Sequence, residues 1–304
     1  MKNKTKEIIA VGSIALDSIE TINGSKNNLI GGSATFFSIG ASLQTKVKVV
    51  GIVGKDFPVE GWNLFSSKNI DVKNILIEDG ATFRWGGKYS DDYSTRETLF
   101  TELGVFEDFK PSIHKDDQST PLVFLGNIQP SLQLAVSKIM RSSEHIVTDT
   151  MNLWIDLFPD QLKQVLSIST ILLINHEEAE QYTGQNKIDE AANILLSSGP
   201  QVVVIKKGSE GAYLAYDKHR ITIPVFPIDK VIDPTGAGDT FAGGFMGYLS
   251  EVEKPDFVEA VIRGSALASF CVEGFGIEAL SKATQNDLKE RVKFIKNSIV
   301  QEVK

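Results

Sequence analysis

Cysteine is almost missing: Cys271 stands alone among 304 residues. That excludes an internal disulfide and a cysteine zinc cluster and fits a reducing compartment, so the cytoplasm is the default expectation. Apolar runs long enough to span a bilayer are lacking, and the basic start Met1-Lys2-Asn3-Lys4-Thr5-Lys6-Glu7 meets only a short strand-like run with no cleavage pattern. Positive charge is not in excess, with 31 basic against 39 acidic side chains and a net charge of −8. Nucleic acid and anionic membrane are therefore unsuited partners, since no local basic patch offsets the repulsion. The four histidines are scattered and form no H-E-x-x-H pair. Neither a G-x-x-x-x-G-K-S/T phosphate loop nor a G-x-G-x-x-G fingerprint after the first strand is present. A P-loop nucleotidase and a nicotinamide dehydrogenase lose their main sequence support on that ground.

What is present is an ordinary globular composition, 42% hydrophobic and 23% charged. One stretch organises the reading: Asp233-Pro234-Thr235-Gly236-Ala237-Gly238-Asp239-Thr240-Phe241. Proline forces its predecessor towards extended geometry, and the glycines permit a tight turn that exposes amides. Apolar Phe241, Phe245, Tyr248 and Leu249 then recur at helical spacing, so a helix opens near Gly238 and runs to about Glu251. Free amides and the positive helix end make that first turn an anion site. Asp239 within it is either a helix-stabilising first-turn acid or a base beside developing negative charge.

This string resembles the C-terminal signature of the ribokinase-like (PfkB) carbohydrate kinases, D-P/T-x-G-A-G-D-x-F, at every defined position. The resemblance implies a single α/β domain over residues 1–304, a three-layer α/β/α fold with a mostly parallel central sheet, and a small β-sheet lid at about 18–30 and 80–105. It also implies that Asp239 takes the proton from a substrate hydroxyl while the amides of Gly236, Ala237 and Gly238 hold the transferring phosphoryl group. Positioning and charge neutralisation are most of what phosphoryl transfer asks of a protein, so the roles suit the residues.

Along the chain, Ile8 to Ala15 reads as one buried strand, with Asp17 just past its end, where open α/β sheets bind ligands. By resemblance Asp17 holds substrate hydroxyls. Gly31-Gly32 precedes a helix over Thr35 to Leu43 and matches the family's N-terminal glycine pair, which lets sugar and lid approach the backbone. Val47 to Gly54 reads as a strand, and Asp56 to Ser67 as a helix capped by Asp56. Phe83 to Tyr89 and Thr95 to Thr101 read as exposed, partly aromatic strands. The resemblance makes these, with Ser18 to Ile30, a lid that covers substrate and offers an edge for a homodimer. Arg96 and Trp85 are placed to touch substrate or to brace the little sheet.

Strands at Leu122 to Leu125, His145 to Thr148 and Ile171 to Ile174, separated by helices at Ser131 to Met140 and Pro159 to Leu166, imply a parallel sheet covered on both faces. Asp149 to Trp154 suits a site wall, and its departure from the family's usual pattern there argues against ordinary fructose or ribose specificity. Asn175 followed by Glu178 is a helix start with a capping-box acid. It is also the family's N-x-x-E motif, which makes Glu178 a holder of Mg2+ through water. Gln201 to Tyr213 reads as a strand, a glycine turn and a second strand. The resemblance places Asn175, Lys207, Gly208 and Gly211 beside ATP, with Gly274-Phe275-Gly276 bordering the adenine and Asp233 and Thr235 as ligands for a monovalent cation, K+. Helices follow over Asp256 to Cys271 and Asn286 to Val300.

The expected activity is ATP-dependent transfer to a hydroxymethyl group of a sugar or sugar-like substrate. A nucleoside kinase of the same fold is the nearest alternative, because Phe36, Trp85, Tyr89 and Trp154 suit either base stacking or packing. A sugar-binding regulator without catalysis is the alternative from another class, opposed by the retained Asp239 and Glu178.

Overall fold

The computed structural model describes residues 5–302; residues 1–4, where the basic N-terminal run begins, and 303–304 lie outside the described residues. In chain order, β1 (Ile8–Val11) leads into a hairpin of β2 (Ala15–Thr21) and β3 (Gly24–Gly31). Next come α1 (Ser33–Ala41), β4 (Val47–Gly54), α2 (Val59–Ser67), β5 (Asp71–Glu78), and a second excursion, β6 (Phe83–Tyr89) and β7 (Arg96–Glu102). The alternation resumes with β8 (Leu122–Leu125), α3 (Pro130–Ile139), β9 (His145–Asp149), α4 (Asn152–Leu157), α5 (Pro159–Ile168), β10 (Ile171–Asn175), α6 (His176–Thr183) and α7 (Ile188–Ser197). The chain ends with β11 (Val202–Lys206), β12 (Ala212–Tyr216), β13 (His219–Ile223), α8 (Ala237–Glu251), α9 (Phe257–Cys271) and α10 (Gln285–Glu302).

Among the described residues the strands form two sheets. The larger runs β13-β12-β11-β10-β9-β8-β1-β4-β5. Every pair from β5 to β11 is parallel, and the β11-β12-β13 edge is antiparallel. Side chains alternate between faces along a strand. Ile8 and Ala10 accordingly belong to one apolar cluster with Phe37, Phe124, Phe245 and Leu267, whereas Ile9 and Val11 belong to another with Val123, Leu125 and Val136. Helices α1, α8 and α9 thus cover one face and α3 and α5 the other, giving three layers. Stacking of Phe37 on Phe124, ring centroids 4.1 Å apart, ties α1 to the sheet beneath the site.

The second sheet, β3-β2-β6-β7, is the lid. Its outer strand β7 is exposed along its whole length, Leu99 and Phe100 included.

Two local expectations are corrected. Ile8 to Ala15 is not one strand: β1 stops at Val11, and the chain turns at Gly12 to Ile14 before Ala15 opens β2 in the other sheet. Ser13 anchors that turn, its carbonyl accepting from the Ala34 amide at 3.0 Å and its amide donating to Ser33 Oγ at 3.1 Å. Asp17 is consequently a lid-sheet residue. Asp56 does not cap α2, whose N-cap is Pro58. Its carboxylate instead accepts from the Thr82 amide and hydroxyl, both at 2.7 Å, and from Arg84 at 3.0 Å. Three charge-assisted bonds from the lid approach outweigh one cap. The sequence pattern also left α4, α7 and β13 unmarked.

Candidate active site

The C-terminal ends of β1, β8, β9, β10 and β11 open onto one side of the large sheet, and the first turn of α8 faces them. Gly236 is the N-cap of α8 and takes the left-handed conformation, φ 75°. A methyl group built there would lie 2.2 Å from the Phe36 ring, so only glycine fits both the torsion and the space. The Ala237 amide closes the turn by donating to the Pro234 carbonyl at 3.2 Å, and the Thr240 amide donates to Gly236 O at 2.9 Å. Among the described residues the amides of Gly236 and Gly238 have no such acceptor. An unpaired pair of donors at a positive helix end is a site for an anion.

Asp239 shares that turn. Its Oδ1 is buried and has no hydrogen-bond partner among the described residues. Burial, and then the charge of Asp149, pushes its carboxyl well above the usual range, while Lys206 pulls the other way. A carboxyl in this state takes up a proton readily near neutrality. That is the property a base acting on an alcohol needs.

Across from it stands Asp17 on β2, 5% exposed and accepting from the Gly32 amide. Burial, with help from Asp233, raises its carboxyl to about 7. Gly31 lies against this carboxylate so closely that a methyl group on it would overlap Oδ2, and Gly32, at φ 90°, caps α1 where a methyl group would stand 2.5 Å from the Ser13 carbonyl oxygen. The glycine pair therefore shapes the Asp17 pocket.

Asn175 and Glu178 form the expected capping box: Asn175 Oδ1 accepts from the Glu178 amide at 2.8 Å, and Glu178 Oε2 accepts from the Asn175 amide at 3.0 Å. Burial, then Asp149, raises the Glu178 carboxyl to about 7. Among the described residues no three His, Cys, Asp or Glu side chains gather to hold an ion directly. A divalent ion beside Glu178 would thus keep waters and lean on nucleotide phosphates, which suits magnesium.

The β11-β12 turn puts Gly208 (φ 57°) and Gly211 (φ 91°) at the same edge, with Lys207 N donating to Gly211 O at 2.8 Å and Lys207 Nζ paired outward with Glu210 at 2.6 Å. The Lys207 side chain thus turns away while its neighbour Lys206 turns in. Lys206 Nζ reaches Asp149 at 3.2 Å, a pairing that sequence reading missed. The only local signal was a charged residue at the end of each of two apolar strands.

Asp233 is fully buried, its oxygens accepting from the Thr235 amide and the Gly276 amide, each at 2.9 Å. Burial raises its carboxyl. The Thr235 hydroxyl meets Tyr89 at 3.0 Å. Gly276 so ties the Gly274 loop to the start of the anion turn, while Gly274 packs against Ala279. Arg96, exposed on β7, lies 5.2 Å over the Trp85 ring, and its charge reaches Glu178. Of the other aromatics, Phe36 is buried beneath Gly236, and Trp154 donates to Asn127 at 2.7 Å beside Phe158.

The family model described as pfkB family carbohydrate kinase matches residues 18–284, a span that takes in the lid from Ser18 onward, the Asn175-Glu178 box and the anion turn. The chain belongs to this family. This pfkB-family kinase is 29% identical over 250 residues to a cytidine kinase of Thermococcus kodakarensis, covering 80% of the chain and 88% of the relative. The nucleoside kinase of Methanocaldococcus jannaschii, described as an archaeal member of the ribokinase family, superposes with a TM-score of 0.77 at 23% identity, covering 96% of this chain and 99% of that one. An Arabidopsis thaliana ribokinase solved with ribose and ATP gives a TM-score of 0.77 at 20% identity, covering 95% and 99%. Among the described residues of the kinase no helix is long and apolar enough to cross a membrane.

Proposed function

We propose that this kinase moves the γ-phosphoryl group of ATP onto the hydroxymethyl group of a ribonucleoside. The observation that carries the reading is the unpartnered, buried Oδ1 of Asp239 in the same helical turn as the free amides of Gly236 and Gly238. A hydroxyl placed there loses its proton to Asp239 as its oxygen bonds to the γ-phosphorus. The bond from that phosphorus to the bridging oxygen breaks, and ADP departs with the bond's electron pair. The two amides hold the equatorial oxygens as charge spreads over them.

Asp17, on the lid side, accepts from the ribose hydroxyls and fixes which hydroxyl faces Asp239. Asn175 and the Lys207-Gly208-Gly211 turn border the nucleotide. Glu178 would hold magnesium through water, and that ion, when bound, neutralises charge on the β- and γ-phosphates. The lid excludes water, so transfer to the acceptor outpaces hydrolysis.

The nucleoside reading draws on the likeness to the cytidine kinase across most of both chains. Free sugar is the second reading, favoured by Asp17, which needs only sugar hydroxyls. ADP release with a purine nucleoside, a pyrimidine nucleoside, ribose and fructose, each with ATP and magnesium, separates them. A nucleoside is expected to give a kcat/KM at least about 10-fold above either sugar, the scale of one well-filled pocket contact. A sugar that exceeded both nucleosides would replace this reading, and no transfer to any of the four would overturn both the nucleoside and the free-sugar readings.

A further inference from the structure

Among the described residues Lys206 is the ammonium paired with Asp149 at the mouth of the anion turn. It closes β11, level with Asn175 on the neighbouring strand. Its side chain is 15% exposed, and its partner Asp149, at 7%, sits at the end of β9 on the far side of β10. The pair therefore bridges the strand that carries the Asn175-Glu178 box. Asp149 is itself held: Oδ1 accepts from the Thr150 amide at 3.0 Å, and its carbonyl accepts from Gln133 Nε2 at 3.0 Å.

The position relative to α8 is the decisive point. A methyl group built on Gly238 would stand 3.1 Å from Lys206 Nζ and 3.9 Å from Asp149 Oδ2. An ammonium is thus set against the positive end of a helix, an arrangement that repels unless anions lie beside it. The anionic groups facing Lys206 are Asp149 on β9, Glu178 on α6 and Asp239 on α8. Burial draws the ammonium's pKa down, but these three charges outweigh it and the net direction is up, so Lys206 stays charged. Among them Asp149 alone makes a hydrogen bond to it. Two converging sources of positive potential, the ammonium and the unpaired amides, leave a place between them suited to a multiply charged oxyanion.

We propose that Lys206 is a catalytic cation of this kinase, touching the transferring phosphoryl group from the sheet side while the Gly236 and Gly238 amides hold it from the helix side, with Asp149 as the positioning residue. The inference rests on the phosphoryl-transfer reading above. As the bond to the bridging oxygen breaks, the ammonium donates to an oxygen of the transferring phosphoryl group and stays protonated throughout. No further reactant is needed. Because the same charge favours the ionised form of Asp239, which also faces Asp149, Asp17 and Cys271, losing Lys206 moves the base as well.

The bland alternative is that Lys206 merely neutralises Asp149. Lys206→Met, Lys206→Arg and the double variant Lys206→Met/Asp149→Asn separate the two. For a catalytic cation, Lys206→Met lowers kcat by roughly 10²-fold or more, Arg keeps a measurable part, and the double variant does not recover. The acid limb of kcat/KM moves to higher pH in Lys206→Met. Calorimetry with a non-transferring imido analogue of ATP, against ADP, needs no acceptor. There Lys206→Met loses at least about tenfold for the analogue relative to ADP, the scale of one charge-assisted contact. A wild-type protein that phosphorylates no nucleoside removes the acceptor reading, and the analogue-to-ADP contrast still judges Lys206. Recovery of turnover in the double variant, or an unchanged analogue-to-ADP ratio, overturns the proposal. If Lys206→Met fails to fold, the double variant, free of the unpaired carboxylate, decides by the same two readouts.

Discussion

The hydroxyl of Tyr89 stands 3.0 Å from that of Thr235, joining the lid sheet to the segment that enters the anion turn. Its neighbours repeat the connection. Asn23 Nδ2 donates to Val231 O at 2.9 Å, Tyr93 donates to the same carbonyl at 3.0 Å, and Thr21 Oγ1 donates to Ile232 O at 3.0 Å. Lid position and the geometry of the amides are thereby linked through hydrogen bonds. Burial pushes the Tyr89 phenol up to about 12, so it stays protonated throughout the working range.

Tyr89→Phe should loosen that link without emptying the core. The expected cost in stability is about 1 kcal/mol, the net worth of a typical hydrogen bond. The informative readout is the ratio of nucleoside phosphorylation to ATP hydrolysis without acceptor, which should fall several-fold as water gains entry. An unchanged ratio in both Tyr89→Phe and Asn23→Ala would mean that these contacts do not control access.

Asp239→Asn keeps size and hydrogen-bonding shape but cannot accept the proton. Phosphorylation should drop by about 10²–10⁴-fold, as for loss of a general base. Nucleotide affinity should be retained, and thermal stability should hold or rise because a buried, partnerless oxygen no longer carries charge. Wild-type activity should fall as pH drops through the raised pKa of this carboxyl, since the protonated form is inert as a base. Turnover close to wild type in the variant would remove Asp239 from the mechanism.

These predictions draw on parts of the chain that differ in how far sequence reveals them. The anion turn and the Asn175-Glu178 box are local: proline, glycine and capping residues within a few positions dictate the backbone, so their geometry was readable. Lid strands show in the partly aromatic runs at Phe83 to Tyr89 and Thr95 to Thr101, which fold as Phe83–Tyr89 and Arg96–Glu102. The pairing of Lys206 with Asp149 depends on β9 and β11 flanking β10, a matter of strand order that no local pattern encodes. Asp56 failed as a cap for the same reason, since its donors Thr82 and Arg84 come from the approach to another sheet. The apolar run from Ile8 to Ala15 likewise conceals a change of sheet, because burial on both sides of the Gly12 turn keeps the pattern continuous.

Gly236→Ala tests whether the turn tolerates any side chain. Two costs coincide: a left-handed φ of 75° and a methyl group 2.2 Å from the Phe36 ring. Each strained position costs on the order of 1–3 kcal/mol, and displacement of the amides should lower kcat by about 10²–10³-fold. The double variant Phe36→Leu/Gly236→Ala relieves the clash but not the torsion, so melting temperature should recover in part while turnover stays low. Full recovery of turnover would show that the ring, and not the backbone conformation, sets the amides.

Asp17→Asn separates the demands of binding from those of folding. The carboxyl lies near 7 in the folded protein against an ordinary 3.8, because burial disfavours its charge. A raised carboxyl pKa means the fold prefers the protonated form. The resulting contribution is fully present below the ordinary value and is lost as pH rises from about 4 to about 7. Above that window wild-type protein holds an ionised Asp17 at a cost of up to about 4 kcal/mol, from roughly 1.4 kcal/mol per pKa unit. Asparagine is neutral at every pH and can still accept from the Gly32 amide. The variant should therefore melt higher than wild type at about pH 8 and no higher at about pH 4, a difference read by thermal denaturation in the absence of ligand. Its acceptor KM should rise by about tenfold or more, because a charged acceptor for sugar hydroxyls is lost, while ATP affinity is unaffected. Equal melting differences at both pH values would mean that Asp17 does not titrate in this window, and an unchanged acceptor KM would take it out of the substrate pocket.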